Sequence, residues 1–278
     1  MCSEMNRIDD TGGARNRNAT SPPETDGAVE TVRRFWDEFL YDDVRVAVRP
    51  AGTVEHFAEL EEFRVGRLDY LPRHVDFGAW RGKRVLEIGC RIGLDLIRFA
   101  RGGARATGIE LAPSRLEEAK RYFDMHGLAG DFRVMNGEAM SFPDGSFDLV
   151  YAHGVLPYTP DPARMIGEIH RVLAPGGEMF LMAYNRYSWL TLLSKLSGKN
   201  LRHEEAPVFR SYSPRELRKM LAGFSRVEIV PERFPAETGL HRGAAARFVY
   251  SLLLGLFRIT PERIVRPFGA HLVVKAVR

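Results

Sequence analysis

The sequence predicts an α/β fold: a doubly wound, mostly parallel sheet with helices on both faces and a helical lid before it. Three observations carry this. Residues 83–93, KRVLEIGCRIG, run from a β-branched segment through an acid into a glycine-bearing turn with a helix-like pattern beyond. A second apolar run, ATGIE, closes on Glu110. From Lys83 onward, strand-like and helix-like segments alternate, the pattern of parallel strands joined by crossover helices.

The elements follow in order. Residues 1–26 are rich in Gly, Asn, Asp, Arg and Pro and lack apolar periodicity, so a disordered tail is expected. Residues 27–80 are expected to form a helical lid. Val29, Val32, Phe35, Trp36 and Phe39 share one helical face, and Phe57, Leu60, Phe63, Val65 and Leu68 mark a second helix. Strands are predicted over 84–88, 105–110, 132–135, 147–152 and 178–183. Helices are predicted over 93–100 and 113–123, with a third opening at Asp161-Pro162. Ser213 and Glu216 form a capping box for a further helix. Residues 227–230 and 271–277 read as two late strands. Segments 184–212 and 235–268 are expected to cover a substrate pocket within a main domain spanning 81–278.

The chain has 278 residues and a formal net charge of +4, with 45% hydrophobic residues. The basic excess is mild and dispersed, without the basic stripe a nucleic-acid protein shows. Cys2 and Cys90 are not placed for a structural disulfide, so a reducing cytoplasm is expected. No leader is expected at the polar N-terminus. The apolar run 248–257 is too short to span a bilayer. Three readings fit that run: a pocket cap, a homodimer contact or a lipid-resting helix with arginines at headgroups. Its hydrophobicity all round favours burial over membrane contact.

A glycine turn at a helix N-terminus suits an anionic or nucleotide-like ligand. An acid roughly 20 residues on can reach ribose hydroxyls. Together they point to an adenosine-type cofactor. His153 follows the fourth predicted strand, at the carboxyl edge where open α/β sheets bind ligands. Its ordinary pKa near 6.5 suits a general base, and Tyr158 is placed to line the same pocket. Tyr184, Asn185, Arg186 and Tyr187 follow the fifth strand and are candidates for binding a polar substrate, with Arg186 toward a carboxylate or phosphate. Arg64 and Tyr70 are candidates to reach in from the lid. Asp148 reads as structural. His203, Glu204 and Glu205 have no chelating spacing, so no metal site is expected.

Residues 83–183 resemble the class I S-adenosylmethionine-dependent methyltransferases, especially the small-molecule group. The strings VLEIGCRIG, GIELAPSRLEEAK, NGEAMSFPDGSFDLVYAHGVLPY and ARMIGEIHRVLAPGGEMFLMAY carry the resemblance in order and spacing. It implies a Rossmann-like seven-stranded sheet with an antiparallel C-terminal strand. It implies S-adenosyl-L-methionine as cofactor, and roles residue by residue. Glu87, Gly89, Cys90 and Gly93 would form the turn around the methionyl part. Glu110 would hold both ribose hydroxyls and Leu111 would lie on the adenine. Asn136 would accept from the adenine amine, with backbone contacts from Gly137 and Glu138. Ala152 and His153 would stand beside the methyl donor. Two positions depart from the family pattern: Arg91 replaces a glycine and Asn136 an aspartate.

The implied reaction is in-line methyl transfer to a small polar or natural-product-type acceptor, most readily a hydroxyl oxygen. Two alternatives remain open: a non-catalytic or regulatory protein on this scaffold, and a membrane-peripheral lipid or quinone methyltransferase. Nucleic acid is disfavoured as substrate, because the fourth strand ends in AHGVLPY rather than the Asn-Pro-Pro-aromatic string of base-modifying enzymes.

Overall fold

The computed structural model describes residues 25–38, 49–50, 52–197, 205–234 and 251–278, apart from 253, 256 and 258. Seven strands form one sheet: β1 (Arg84–Ile88), β2 (Arg105–Glu110), β3 (Asp131–Val134), β4 (Phe147–His153), β5 (Leu173–Tyr184), β6 (Arg226–Glu232) and β7 (His271–Val277). Their order is β3-β2-β1-β4-β5-β7-β6. β1 to β5 pair in parallel, and β7 runs antiparallel to both β5 and β6. The doubly wound mixed sheet and its single antiparallel C-terminal strand match the expectation.

Side chains of the central strands alternate between two cores, as a period of two requires. Leu86, Val150, Leu181 and Val274 join one buried cluster; their neighbours Val85, Leu149, Phe180 and Val273 join the other. Burial on both faces accounts for the near-continuous apolar reading of these strands.

Preceding the sheet are α1 (Thr25–Glu38), α2 (Val54–Arg67) and α3 (Leu71–His74). The crossovers are α4 (Leu96–Arg101), α5 (Pro113–Met125) and α6 (Pro162–Val172); α7 (Trp189–Ser197) and α8 (Pro214–Met220) follow β5. The caps expected from sequence form. Asp161 accepts from the Arg164 N–H at 3.0 Å, and Ser213 and Glu216 complete their capping box.

Three segments differ from the sequence expectation. The turn at Ala174–Gly177 lies inside β5, where the register against β4 shifts between Phe147 and Leu149. The helix predicted from Gly93 begins at Leu96, because Gly93 is in the left-handed region (φ 80°) and its turn must close first. The late apolar helix is described only in part, over 251–259. There Leu254 and Phe257 pack against Trp189 and Ala270, while Leu252 and Ile259 are exposed. Burial all round therefore does not hold for its described residues. Residues 1–24, the 235–250 part of the covering segment, Cys2, His203 and Glu204 lie outside the described residues. Among those described, no helix is long and apolar enough to cross a membrane.

Candidate active site

A cavity opens at the carboxyl ends of β1, β2, β4 and β5, closed from above by α1 and α2. Its open space, mouth included, is about 1450 Å³.

The turn after β1 is bolted to β2. The Gly89 and Cys90 N–H groups donate to the Ile109 carbonyl at 2.8 and 3.1 Å. Gly89 has φ 68°, and a Cβ there would stand 2.5 Å from Val155 Cγ2, so no other residue fits. Cys90 is buried, and its sulfur approaches Gly108 closely enough that a Cβ at that glycine would lie 2.8 Å away. Arg91 also occupies the left-handed region, at φ 49°. An L side chain held there costs about 1–2 kcal/mol, which explains why the resembled family carries glycine at this place. Arg91 lines the cavity, and its charge acts on Glu110.

Glu110 ends β2 with both carboxylate oxygens gripped by the main chain. Oε2 accepts from Arg91 N–H at 3.0 Å; Oε1 accepts from Leu111 and Ala112 N–H at 2.8 and 3.2 Å. Burial pushes its pKa up and these N–H bonds oppose the shift. Asn136 caps the turn after β3 through its own side-chain oxygen, which accepts from the Glu138 N–H at 2.9 Å. One of the two lone pairs on that oxygen is thus taken. Glu138 in turn accepts from the Asp161 N–H at 2.9 Å, tying the turn to α6.

Beneath the turn after β1 lies a cluster that the sequence did not announce. Asp95, fully buried, accepts from Arg64 Nε at 2.8 Å and from Arg64 Nη2, and Tyr151 donates to it at 2.7 Å. Glu87 stands beside them, buried, with Oε2 lacking a hydrogen-bond partner among the described residues. Burial and the Asp95 charge push Glu87 well above the usual carboxylate range. Arg64 holds Asp95 well below it, against the effect of burial.

The opposite wall of the cavity, toward β4 and β5, is aromatic and cationic. Trp36 of α1 meets Tyr158 edge-on, with ring centroids 4.8 Å apart, and the Tyr158 and Tyr184 hydroxyls lie 3.4 Å apart. Phe63, Arg67, His153, Arg233 and His271 complete this wall. His153 Nε2 lies 2.9 Å from the Tyr70 hydroxyl, which lies 2.7 Å from His271 Nδ1. Burial, with the Arg64 charge, lowers the His153 pKa to about 3. That is far below the value that made it attractive as a base from sequence.

The structure thus gathers Glu87, Gly89, Cys90, Glu110, Leu111, Asn136, Gly137, Glu138, His153, Tyr158 and Tyr184 around one cavity. It leaves others outside. Gly93 shapes the turn from behind, its Cα facing Phe123 and Ala119. Ala152 is buried in the sheet core because its side chain points away from the mouth. Arg186 and Tyr187, expected from sequence to meet a substrate, are not among the residues lining the cavity. The Arg186 guanidinium donates to Glu216 and to the Ser211 carbonyl, both at 2.8 Å, and Tyr187 is 59% exposed. Asn185 is buried and donates to the Pro267 and Gly269 carbonyls, holding the β5 exit. Asp148 binds the Arg84 backbone N–H and guanidinium, a structural role. Arg64, raised only as a lid candidate, and Asp95, Arg233 and His271, not singled out at all, are the additions. The spacing of α2 against α4 holds no local signal for them.

Residues 86–181 match the family described as "Methyltransferase domain". Among curated proteins, the chain is 39% identical over 125 residues to the ubiquinone biosynthesis O-methyltransferase of Xanthomonas oryzae pv. oryzae, covering 43% of this chain and 49% of that one. It is 31% identical over 172 residues to the protein of the same name from Aromatoleum aromaticum, covering 62% and 65%. The chain therefore spans about half to two thirds of the length of these relatives. A SAM-dependent methyltransferase from Thermotoga maritima shares the fold at TM-score 0.56 and 19% identity, covering 88% of this chain and 99% of that one. The family match lies over the strands that build the cavity, so residues 86–181 are a methyltransferase domain by that match, and the Thermotoga maritima structure shares the fold.

Proposed function

We propose that the protein transfers a methyl group from S-adenosylmethionine to a hydroxyl oxygen of a small acceptor. The observation that supports this best is the orphaned Glu87 Oε2 beside the Glu110 turn. A buried carboxylate oxygen without a donor is costly, and the α-ammonium of a methionyl group is the donor it lacks. Glu110, with three N–H groups fixing it, would offer its outer lone pairs to the ribose diol. Leu111 and the Asn136–Glu138 turn would flank the adenine. These residues fit the cofactor.

When bound, the cofactor supplies a methyl group on a sulfonium. An acceptor oxygen held in line would take that methyl, leaving the bond pair on sulfur as a thioether and giving its own proton to solvent. The chain's contribution is geometry: holding both partners in line can supply roughly 7–11 kcal/mol. Trp36, Tyr158, Tyr184 and His153 form the wall against which the acceptor would lie, and α1 and α2 exclude water above it. The O-methyltransferase names of the curated relatives favour oxygen as the attacked atom, and their place in ubiquinone biosynthesis favours a quinone precursor as a second, narrower reading.

The test is turnover. Purified protein with S-adenosylmethionine and a panel of phenols, catechols and aliphatic alcohols should yield S-adenosylhomocysteine and a methyl ether with at least one hydroxyl class. Absence of heat on titrating S-adenosylhomocysteine to millimolar concentration would sink the cofactor assignment and leave the non-catalytic scaffold.

Glu87→Gln separates stability from binding. A carboxyl whose folded pKa is raised favours the fold below about pH 4.5 and loses that contribution as pH rises through its folded value. The amide has no such loss. At pH 8 the variant is expected to melt higher, by the equivalent of about 1–3 kcal/mol, while binding S-adenosylhomocysteine about 10- to 100-fold more weakly. Thermal melts and calorimetry on the same sample read both.

A further inference from the structure

The His153 ring is the last member of a hydrogen-bond chain that starts on the far side of the sheet's mouth. Arg233 Nη1 lies 2.9 Å from His271 Nε2, His271 Nδ1 lies 2.7 Å from the Tyr70 hydroxyl, and that hydroxyl lies 2.9 Å from His153 Nε2. A guanidinium has no lone pair and can only donate. His271 Nε2 must therefore accept, and its proton sits on Nδ1. That N–H donates to the Tyr70 oxygen, so the Tyr70 proton turns to His153. His153 Nε2 then accepts, and the ring's proton sits on Nδ1. The direction passes on through Tyr70 because its hydroxyl has one proton to donate and, among the described residues, His153 Nε2 is the acceptor left within reach.

Several features show that the chain is built in rather than incidental. Tyr70 and His271 are both buried, so no solvent competes for the middle links. Arg233 holds a left-handed backbone angle, φ 62°, unusual for a bulky residue. Its carbonyl is pinned by the Trp189 indole N–H at 3.0 Å and the Ala270 N–H at 3.1 Å. Strain of this kind persists where surrounding structure over-determines it.

We propose that Arg233, acting through His271 and Tyr70, is a positioning residue that locks His153 as the neutral Nδ1–H tautomer with its Nε2 lone pair occupied. His153 then shapes the acceptor wall without acting as the acceptor's base. Where the methyltransfer reading holds, which this inference rests on for its meaning, the acceptor oxygen must react after losing its proton elsewhere. The hydroxyls suited to this are acidic ones that ionise on their own. The charged and titratable groups around the ring are Arg64, Asp95, Tyr70, Tyr151, His271 and Arg233. The two arginines oppose ring protonation and Asp95 favours it.

Two-bond proton–nitrogen NMR on full-length protein labelled with ¹⁵N-histidine tests this, with His153→Gln and His271→Gln used for assignment. At pH 7 both rings should show the proton on Nδ1, and His153 should stay neutral down to pH 5. In Arg233→Met the bias at His271 should be lost and both rings should populate a mixture of tautomers; Tyr70→Phe should release His153 alone. A wild-type His153 carrying its proton on Nε2 overturns the proposal, as does an Arg233→Met protein that melts normally with both tautomers unchanged. If the variants do not fold, the wild-type spectrum still decides. Calorimetry with S-adenosylhomocysteine on the same labelled sample reports separately on the cofactor, so a failure there is distinguishable from a failure of the tautomer.

Discussion

Replacing Arg64 with methionine is expected to lower the melting temperature by about 6 °C or more, the largest stability effect of any single change in the site. Asp95 has no exposed side-chain surface, and Arg64 is 22% exposed. Removing the guanidinium leaves a buried carboxylate whose remaining side-chain donor among the described residues is the Tyr151 hydroxyl, and which faces Glu87. Breaking a buried pair from one side costs about 3–5 kcal/mol, and a domain of this size loses roughly 2–4 °C per kcal/mol. The pH dependence has a definite sign. Asp95 is depressed in the folded state, so its contribution is present above its unfolded pKa near 3.9 and is lost as pH falls toward the folded value. The gap between wild type and Arg64→Met should therefore be widest at neutral pH and narrow below about pH 4. The double variant Arg64→Met, Asp95→Asn should recover much of the loss. A melt within 1–2 °C of wild type at pH 7 would show that the pair is not buried as described.

The second large effect concerns Glu110. Glu110→Ala is expected to weaken S-adenosylhomocysteine at least about 100-fold, from losing charge-assisted bonds to two ribose hydroxyls at about 1.5–3 kcal/mol each. Because Glu110 also accepts three main-chain N–H bonds, Glu110→Gln is the necessary companion. It keeps the shape and the acceptor for Leu111 and Ala112 but sets its NH2 against the Arg91 N–H, so it should fold with a loss of about 1–3 kcal/mol and bind at least tenfold more weakly. Calorimetry gives the affinity and a thermal melt checks the fold. A Glu110→Gln protein with wild-type affinity would remove the ribose assignment.

Sequence and structure agree best where contacts are local or periodic. The bounds of β1, β2 and β7 coincide with the predicted strands, since each is a largely apolar run that contains β-branched residues. The Asp161 and Ser213 caps also form as expected, because a cap satisfies N–H groups only two or three residues away. The glycine turn and Glu110 were legible because a short backbone motif fixes them.

The acceptor side was not legible in the same way. Arg186 follows β5 at the expected edge, yet its guanidinium turns to Glu216, an ion pair set by where α8 lands. His153 looked like a base by its ordinary pKa, and its surroundings move that value to about 3. Arg64 meets Asp95 across 31 residues, and Tyr70 meets His153 across 83 and His271 across 201. No local pattern encodes those separations.

The amino-acid order alone determined the sheet, its helices and the glycine turn after β1, because propensity, alternation and capping act over a few residues at a time. Only the packed fold decided which charges share a dry interior, which tautomer a ring adopts and which arginine reaches the cavity. Those depend on desolvation and on hydrogen bonds between distant segments, and both come into being when the strands close into one sheet.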